Sequence, residues 1–425
     1  MNTTAATPAI QVINKSDHTD QRVVALSDHV ATPLTAADSV RVRSRLLALT
    51  TNNFTYAMLG SIRPLSWHYV WKMPAALPAP FNNTEKYCRI SAWGYGEVVE
   101  STVAGLPAGT QLYGYWPLGT ATEDMRVAPG PVAGMWHETS EHRSRLIPIY
   151  NRYTVATAGA TRETKGWDAL MRPQFETAYM LNRFALSWDA AASPPIHPLG
   201  GSPAPGLVPD PVWTAEDADV AGALVVLLAP SGKTGLALAR QLRHGRPAAA
   251  RPRKVVAVGS ERSRAFAVGT GFFDDVVLYD DMADAAPTAA ASASKKIVLV
   301  NFGARGDAGE KWMEALRARC ERLQVVVVGS EPVAKARRVL SSLTQEEGSG
   351  VVQANAGGLR EKAIALLSAA VYLPQQTAAW EGFKAEGAVP GLRLEWGQGL
   401  DALSHGWDRL AKGEYGPEVG LVYEV

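Results

Sequence analysis

Two hydrophobic patterns divide the chain near Asp217. Beyond it, Ala223-Leu-Val-Val-Leu-Leu228, Lys254–Val258, Asp275–Leu278, Ile297–Val300 and Gln324–Val328 are nearly continuous apolar runs, separated by segments of helical composition such as Gly235–Leu242. Runs of this kind suit strands buried on both faces, and their alternation with helices predicts a parallel, doubly wound α/β sheet. Before Asp217 the runs are shorter and broken by Gly and Pro: Gln21–Leu26, Ala92–Glu100 and Gln111–Trp116. They predict a β-rich, barrel-like domain. Within it, Ala36–Thr50 carries apolar residues at helical spacing with arginines between them and reads as a helix. Gly166–Leu186 also reads as a helix, broken near Pro173, followed by a Pro- and Gly-rich loop over Ser193–Pro211 that suits an insertion or a surface lid. His244–Pro252 and Ala283–Ser294 read as surface loops. The tail offers a helix at Thr377–Glu386, a strand at Leu392–Trp396, a helix ending near Lys412 and a last strand-like run, Gly420–Val425. The chain therefore returns to its first domain, giving residues 1–165 plus 372–425 as a β-rich catalytic domain and 166–371 as a nucleotide-binding domain.

Composition narrows the class. With 42 basic against 41 acidic residues there is no excess charge to attract nucleic acid, and 47% apolar residues allow a sizeable core. The two cysteines, Cys88 and Cys320, exclude a disulfide framework and a four-cysteine zinc site. The N-terminus lacks a basic and apolar leader pattern, and no apolar run approaches the roughly 20 residues that span a bilayer. A cytoplasmic enzyme with a small-molecule substrate, and neither nucleic acid nor membrane as partner, is the expectation.

The chemistry centres on the turn Ala229-Pro-Ser-Gly-Lys-Thr-Gly235, which directly follows the first buried strand and precedes a helix. That context is what a dinucleotide fingerprint of the Rossmann type requires: small residues let backbone approach a pyrophosphate, and the helix start offers N–H groups and a positive dipole end. Ser231, Gly232, Lys233, Thr234 and Gly235 are the candidate contacts. Only two of the three fingerprint glycines remain, and an ordinary strand-to-helix turn is the competing reading. A P-loop does not fit, because Leu227 stands where its first glycine must be. After the second strand come Ser260, Glu261, Arg262 and Arg264. The arginines and Ser260 suit the 2′-phosphate of NADPH, while Glu261 would suit the ribose hydroxyl of NADH and a solvated charge cluster is the third reading. The set favours NADPH. Asn301, Phe302 and Gly303 follow the fourth strand and Gly329-Ser330 the fifth, at the strand ends where open α/β sheets bind ligands. Lys335–Arg338 reads as a solvated helix face.

Taken with Asn53-Phe-Thr-Tyr56 and Gly94-Tyr-Gly-Glu-Val-Val-Glu-Ser101, these motifs resemble the medium-chain dehydrogenase/reductase superfamily, on its zinc-free, quinone-reductase-like side. Gly105–Gly114 is similar to the segment leading into that superfamily's β barrel. A narrower resemblance is to a branch catalogued as a domain of unknown function, carried by Trp93–Ser101 with Tyr113–Leu118, by Tyr150–Tyr153 with Leu170–Phe175, and by Ser231–Thr234. The resemblance implies a GroES-like catalytic domain ahead of the Rossmann domain, an NADP-dependent oxidoreductase without zinc, and allows a homodimer. Absence of a metal is also expected from the residues. The two cysteines fall in different predicted domains, and the only close histidine pair is His137 and His142.

Hydride chemistry without a metal needs a group that stabilises or protonates the developing oxyanion or enolate. Asn53 and Tyr56 match the place where zinc-free relatives put an Asn-Phe-x-Asp segment, with Tyr56 in place of the acid. Tyr56 is the first candidate for proton donor. Tyr113, Tyr115, Tyr150 and Tyr153 follow it, each with a core role as the alternative. The expected activity is zinc-independent, NADPH-dependent reduction of a small carbonyl or α,β-unsaturated carbonyl compound. A non-redox enzyme of lyase or hydrolase type on the same scaffold and a cofactor-sensing binding protein are the alternatives, since fold alone does not decide.

Overall fold

A computed structural model describes residues 7–27, 33–62, 65–201, 209–281, 295–329, 331 and 350–425. The β-rich part contains β1 (Ala9–Asn14), β2 (Gln21–Ala25), β3 (Ser39–Leu49), α1 (Asn52–Leu59), β4 (Tyr87–Cys88), β5 (Ser91–Ser101), β6 (Gln111–Pro117), β7 (Thr122–Pro129), β8 (Met135–Glu138) and β9 (Arg152–Val155). The order β3-β5-β6-β9-β8-β7 closes because β7 pairs back onto the first half of β3, making a six-stranded barrel. A closed barrel leaves no free edge within the ring.

Ala36–Thr50 is therefore not a helix. Val40-Arg-Val-Arg-Ser-Arg45 alternates with period two, and two-residue alternation is the pattern of a strand with two different faces. Two arginines of the second face are held by acids, Arg41 by Glu100 and Asp124 at 2.9 and 2.7 Å and Arg45 by Glu97 at 2.5 Å.

Next come α2 (Arg162–Met180), α3 (Ala215–Ala218), β10 (Leu224–Leu228), α4 (Lys233–His244), β11 (Lys254–Gly259), α5 (Glu261–Thr270), β12 (Asp275–Leu278), β13 (Lys296–Asn301), α6 (Ala308–Arg317), β14 (Arg322–Val327), β15 (Val351–Gln353), α7 (Ala356–Leu367) and α8 (Ala369–Ala385). The parallel strands lie in the order β12-β11-β10-β13-β14-β15, the 3-2-1-4-5-6 arrangement of dinucleotide-binding sheets. Every residue of β10 is buried, as its unbroken apolar run requires. One sheet face packs on α2, α4 and the barrel in a single continuous core, and the other on Trp312 and Leu316 of α6. The sheet is doubly wound, as expected.

The helix expected to break at Pro173 instead runs through it. Thr161 caps its start by accepting from the Thr164 amide at 3.2 Å, and a π-helical turn over Leu181–Ala185 follows its end. In the second half, β15, which completes the sheet, and α7 after it had no expectation. Residues 193–201 of the Ser193–Pro211 loop are packed rather than free, since Pro198 accepts from the Asn355 amide at 2.9 Å and Gly200 lies against the Gly358 backbone, whereas Pro209 and Asp210 are exposed. Ala283–Ser294, Ser330 and Lys335–Arg338 lie outside the described residues.

The chain ends with β16 (Arg393–Gln398), α9 (Gly399–Ala411) and β17 (Val419–Glu424). β17 pairs antiparallel with the second half of β3, Leu421 opposite Leu49, and carries β16 on its other side. The return to the first sheet is thus made by two strands.

Candidate active site

An aromatic cluster stands on the outside of the barrel. In β5 and β6, Trp93 lies opposite Tyr115 and Tyr95 opposite Tyr113, so four rings share one face. The alternate positions are glycines for a steric reason: a Cβ at Gly94 would overlap the Leu46 carbonyl, and one at Gly114 would overlap the Tyr153 ring. This alternation of glycine and aromatic residues aims the tyrosines away from the crowded interior and toward α1 and α2.

α1 supplies Tyr56 to this face. Its hydroxyl accepts a hydrogen bond from Trp93 Nε1 at 3.1 Å, and its ring makes edge contacts with Trp67, Tyr115 and Tyr150 at 4.9, 5.1 and 6.0 Å. Burial raises the Tyr56 phenol above its ordinary pKa, with hydrogen bonding from Trp93 and Tyr150 opposing that. Burial likewise pushes Tyr113, Tyr115 and Tyr150 well up. All four are neutral phenols at neutral pH and can donate a proton or a hydrogen bond.

The other two residues proposed from sequence are otherwise engaged. Asn53 accepts from the Thr50 amide at 2.8 Å and donates to the Ser91 carbonyl at 3.1 Å, fixing the start of α1 against β5. Tyr153 donates to the Tyr115 carbonyl at 3.0 Å and accepts from Arg143 at 3.0 Å inside the barrel. Neither presents a free polar group beside Tyr56. Trp93 and Trp67 complete the cluster and had no place among the candidates, although the Trp-x-Tyr alternation in β5 was the signal for the first.

The candidate cofactor residues line the carboxyl edge of the parallel sheet. Ala229 adopts φ +54°, a left-handed turn that sends the chain sharply from β10 into α4. At Gly235 an added Cβ would stand 2.6 Å from the Pro230 carbonyl oxygen, so only glycine lets the first helical turn cross its own entry loop. At Gly232 a Cβ would meet nothing within 4 Å. The turn is therefore tight beneath and open above, and the first amides of α4 have no intrahelical acceptor. Such a cradle fits a pyrophosphate.

Its cations face elsewhere. Lys233 is half-buried, with its ammonium turned inward to donate to the Val419 carbonyl at 2.9 Å, and burial lowers its pKa to about 8. Arg262 donates to the Gly413 carbonyl, and Arg264 lies 3.8 Å from Glu261. Lys233 and Arg262 thus both reach the segment 413–419 that leads into β17. Ser260 and Ser263 hydroxyls are 3.3 Å apart at the end of β11. Asn301 accepts from the Gly303 and Ala304 amides at 2.9 and 2.8 Å, and Gly329 packs against the Phe302 carbonyl.

α7 connects this edge to the aromatic cluster. It starts just after β15, its Gly357 packs against Ile147 near Tyr150, and the charge of its Arg360 acts on both Tyr56 and Tyr150. Among the described residues no group of three or more His, Cys, Asp or Glu side chains is placed to hold a metal ion, and no helix is long and apolar enough to cross a membrane.

Residues 47–416 match the family model described as "Protein of unknown function (DUF2855)". No curated protein matches the chain. Among solved structures, the chain is similar in fold to CurA from Vibrio vulnificus in complex with NADPH (12% identity, TM-score 0.51, 98% of this chain and 99% of that one). It is similar to the JamJ enoyl reductase (12%, 0.56, 99% of each) and to a mutant enoyl thioester reductase from Candida tropicalis (11%, 0.54, 99% and 100%). At such identities the likeness is one of fold, and it extends over the whole chain.

Proposed function

The chain belongs to the DUF2855 family, and we propose that it is a zinc-independent, NADPH-dependent reductase of a carbonyl or α,β-unsaturated carbonyl compound. The observation that carries this reading is a cluster of neutral, buried phenols set beside the carboxyl edge of a 3-2-1-4-5-6 parallel sheet. Similarity of fold to enoyl reductases, and to CurA in complex with NADPH, supports it.

In this reading Ser231, Gly232 and the first amides of α4 hold the pyrophosphate, and Ser260 holds the 2′-phosphate together with Arg262 and Arg264 once these turn from the Gly413 carbonyl and Glu261. Bound NADPH supplies the hydride. Tyr56 holds the proton: Trp93 Nε1 donates to its oxygen at 3.1 Å, which leaves the phenolic hydrogen to point at a substrate oxygen and steadies the oxygen as that hydrogen is given up. Trp67, Tyr115 and Tyr150 exclude water around it. A homodimer and a cytoplasmic location remain part of the proposal.

Tryptophan fluorescence titrated with NADPH and NADH tests the cofactor assignment. The expected result is tight NADPH binding that weakens about tenfold or more in Arg262→Ala, with NADH weak in both proteins. Loss of reduced-nicotinamide absorbance with an enone or enoyl thioester then tests the reaction. Binding of neither dinucleotide overturns the reading, and binding without turnover on any carbonyl acceptor leaves a cofactor-sensing protein.

A further inference from the structure

Behind the phenols, the charges of three arginines act on one buried carboxylate, that of Glu176. Arg172 and Glu176 stand one turn apart on α2, Arg152 starts β9 and Arg360 lies on α7. Glu176 accepts from Arg360 Nε at 2.6 Å and from the Tyr372 hydroxyl at 3.2 Å. Burial pushes its carboxyl up, and the charges of Arg360, Arg152 and Arg172 more than reverse this, so all three guanidinium groups lie within electrostatic reach of it.

The acids present do not use all of that positive charge. Among the described residues Arg152 gives only Nη2 to Glu361, at 3.0 Å; its side chain is 9% exposed, and its Nε and Nη1 are buried with no partner there. The Arg172 guanidinium lies over the Tyr113 ring, 4.8 Å from its centre, and pairs with no carboxylate among the described residues. The Tyr113 hydroxyl is also buried and unpartnered. Asp168, the other acid nearby, is taken by Lys384 at 2.8 Å. Buried guanidinium N–H groups without acceptors are costly, and planar, forked donors match oxyanions in particular.

We propose that Arg152 and Arg172, with the Tyr113 hydroxyl, form a binding site for an oxyanion, a carboxylate or phosphate group carried by the substrate. Tyr113 stacks on Trp93, whose Nε1 bonds Tyr56, so the site is separated from the proposed proton donor by only those two rings. The inference rests on Tyr56 marking the reacting centre. The substrate becomes an elongated acid or phosphoester, recognised at one end and reduced at the other, rather than a small apolar carbonyl.

The site can be probed without cofactor, because Trp93 reports on Tyr113. The protein is titrated with inorganic phosphate and with succinate, against sodium chloride at matched ionic strength, following tryptophan fluorescence. We expect a saturable change with at least one anion, weakened roughly tenfold in Arg172→Gln, the loss that follows removal of one half-buried cation facing an anion. Saturation by succinate alone identifies a carboxylate and by phosphate alone a phosphate, and either supports the site. Arg172 is chosen because it makes no ion pair among the described residues, and Arg152→Gln, checked by its melting curve, is the second variant. No saturation by either anion overturns the proposal. So does unchanged affinity in Arg172→Gln. Anion binding lost in Arg262→Ala but kept in Arg172→Gln places the anion in the dinucleotide cradle, which overturns this inference and leaves the cofactor assignment standing. Failure of NADPH to bind, with anion binding intact and sensitive to Arg172, strikes the cofactor assignment alone.

Discussion

At Tyr56 a single side chain combines burial, a defined hydrogen-bond donor to its oxygen and a cage of aromatic rings. Removing only the hydroxyl isolates its role. Tyr56→Phe is expected to lower kcat by about 10²- to 10⁴-fold while leaving the NADPH dissociation constant within about twofold, read by steady-state kinetics and fluorescence titration. Lys233 makes a different prediction. Its pKa of about 8 in the fold lies below the ordinary 10.5, so at pH below 8 the folded state bears the full cost of the enclosed charge. Between pH 8 and 10.5 the folded state sheds the proton first, and stability rises with pH. Relative to Lys233→Met, the wild type is therefore expected to gain about 1–2 kcal/mol across that window in urea unfolding, below the full value of the shift because part of the residue is solvated. A Lys233→Met variant with the same pH slope as wild type would contradict it. The sequence points to Tyr56 only through its place in Asn53-Phe-Thr-Tyr56. The Trp93 bond to its oxygen has no local signal, because it joins residues 37 positions apart.

α2 shows how one element can hold several others. Its Asp168 accepts from the Tyr95 hydroxyl at 2.6 Å, Trp380 Nε1 at 2.7 Å and Lys384 Nζ at 2.8 Å, tying the barrel and α8 to a single carboxylate. Asp168→Ala leaves a buried ammonium and two buried donors unpaired, and is expected to cost about 3–5 kcal/mol in chemical denaturation. A loss under about 1 kcal/mol would mean that water replaces the carboxylate. At this scale legibility followed the strength of the pattern. β10, β11 and β13 were plain because both their faces are apolar, which no surface helix allows. β3 was misread because its second half, Leu46-Leu-Ala-Leu49, is apolar at every position and masks the alternation before it. α2 tolerates Pro173 because its buried face, including Phe175, Ala178 and Tyr179, is held by α4 and α8, so packing outweighs one missing backbone bond.

Over the whole molecule, the expected order of a barrel, a parallel sheet and a return to the barrel is the order observed, since it depends on long runs of sequence. The common action of Arg152, Arg172 and Arg360 was not foreseeable, because their charges bear on the same carboxylate from three separate elements. The return itself has a kinetic and thermodynamic consequence. Leu421 on β17 finds Leu49 on β3 only after the entire parallel sheet has been threaded between them, and the same closing segment receives Lys233 and Arg262 from that sheet. Such distant pairing is slow to form and contributes nothing until both halves are in place. Barrel and sheet should consequently melt together: calorimetry is expected to give one transition, stabilised by about 2.7 kcal/mol when NADPH is present at about 100 times its dissociation constant. Two separable transitions, with only the later one responding to NADPH, would show the halves to be independent. If they are not, a chain that has lost its last strand has also lost the acceptor that holds Lys233 of the sheet, and the two halves of the protein survive or unfold as one cooperative unit.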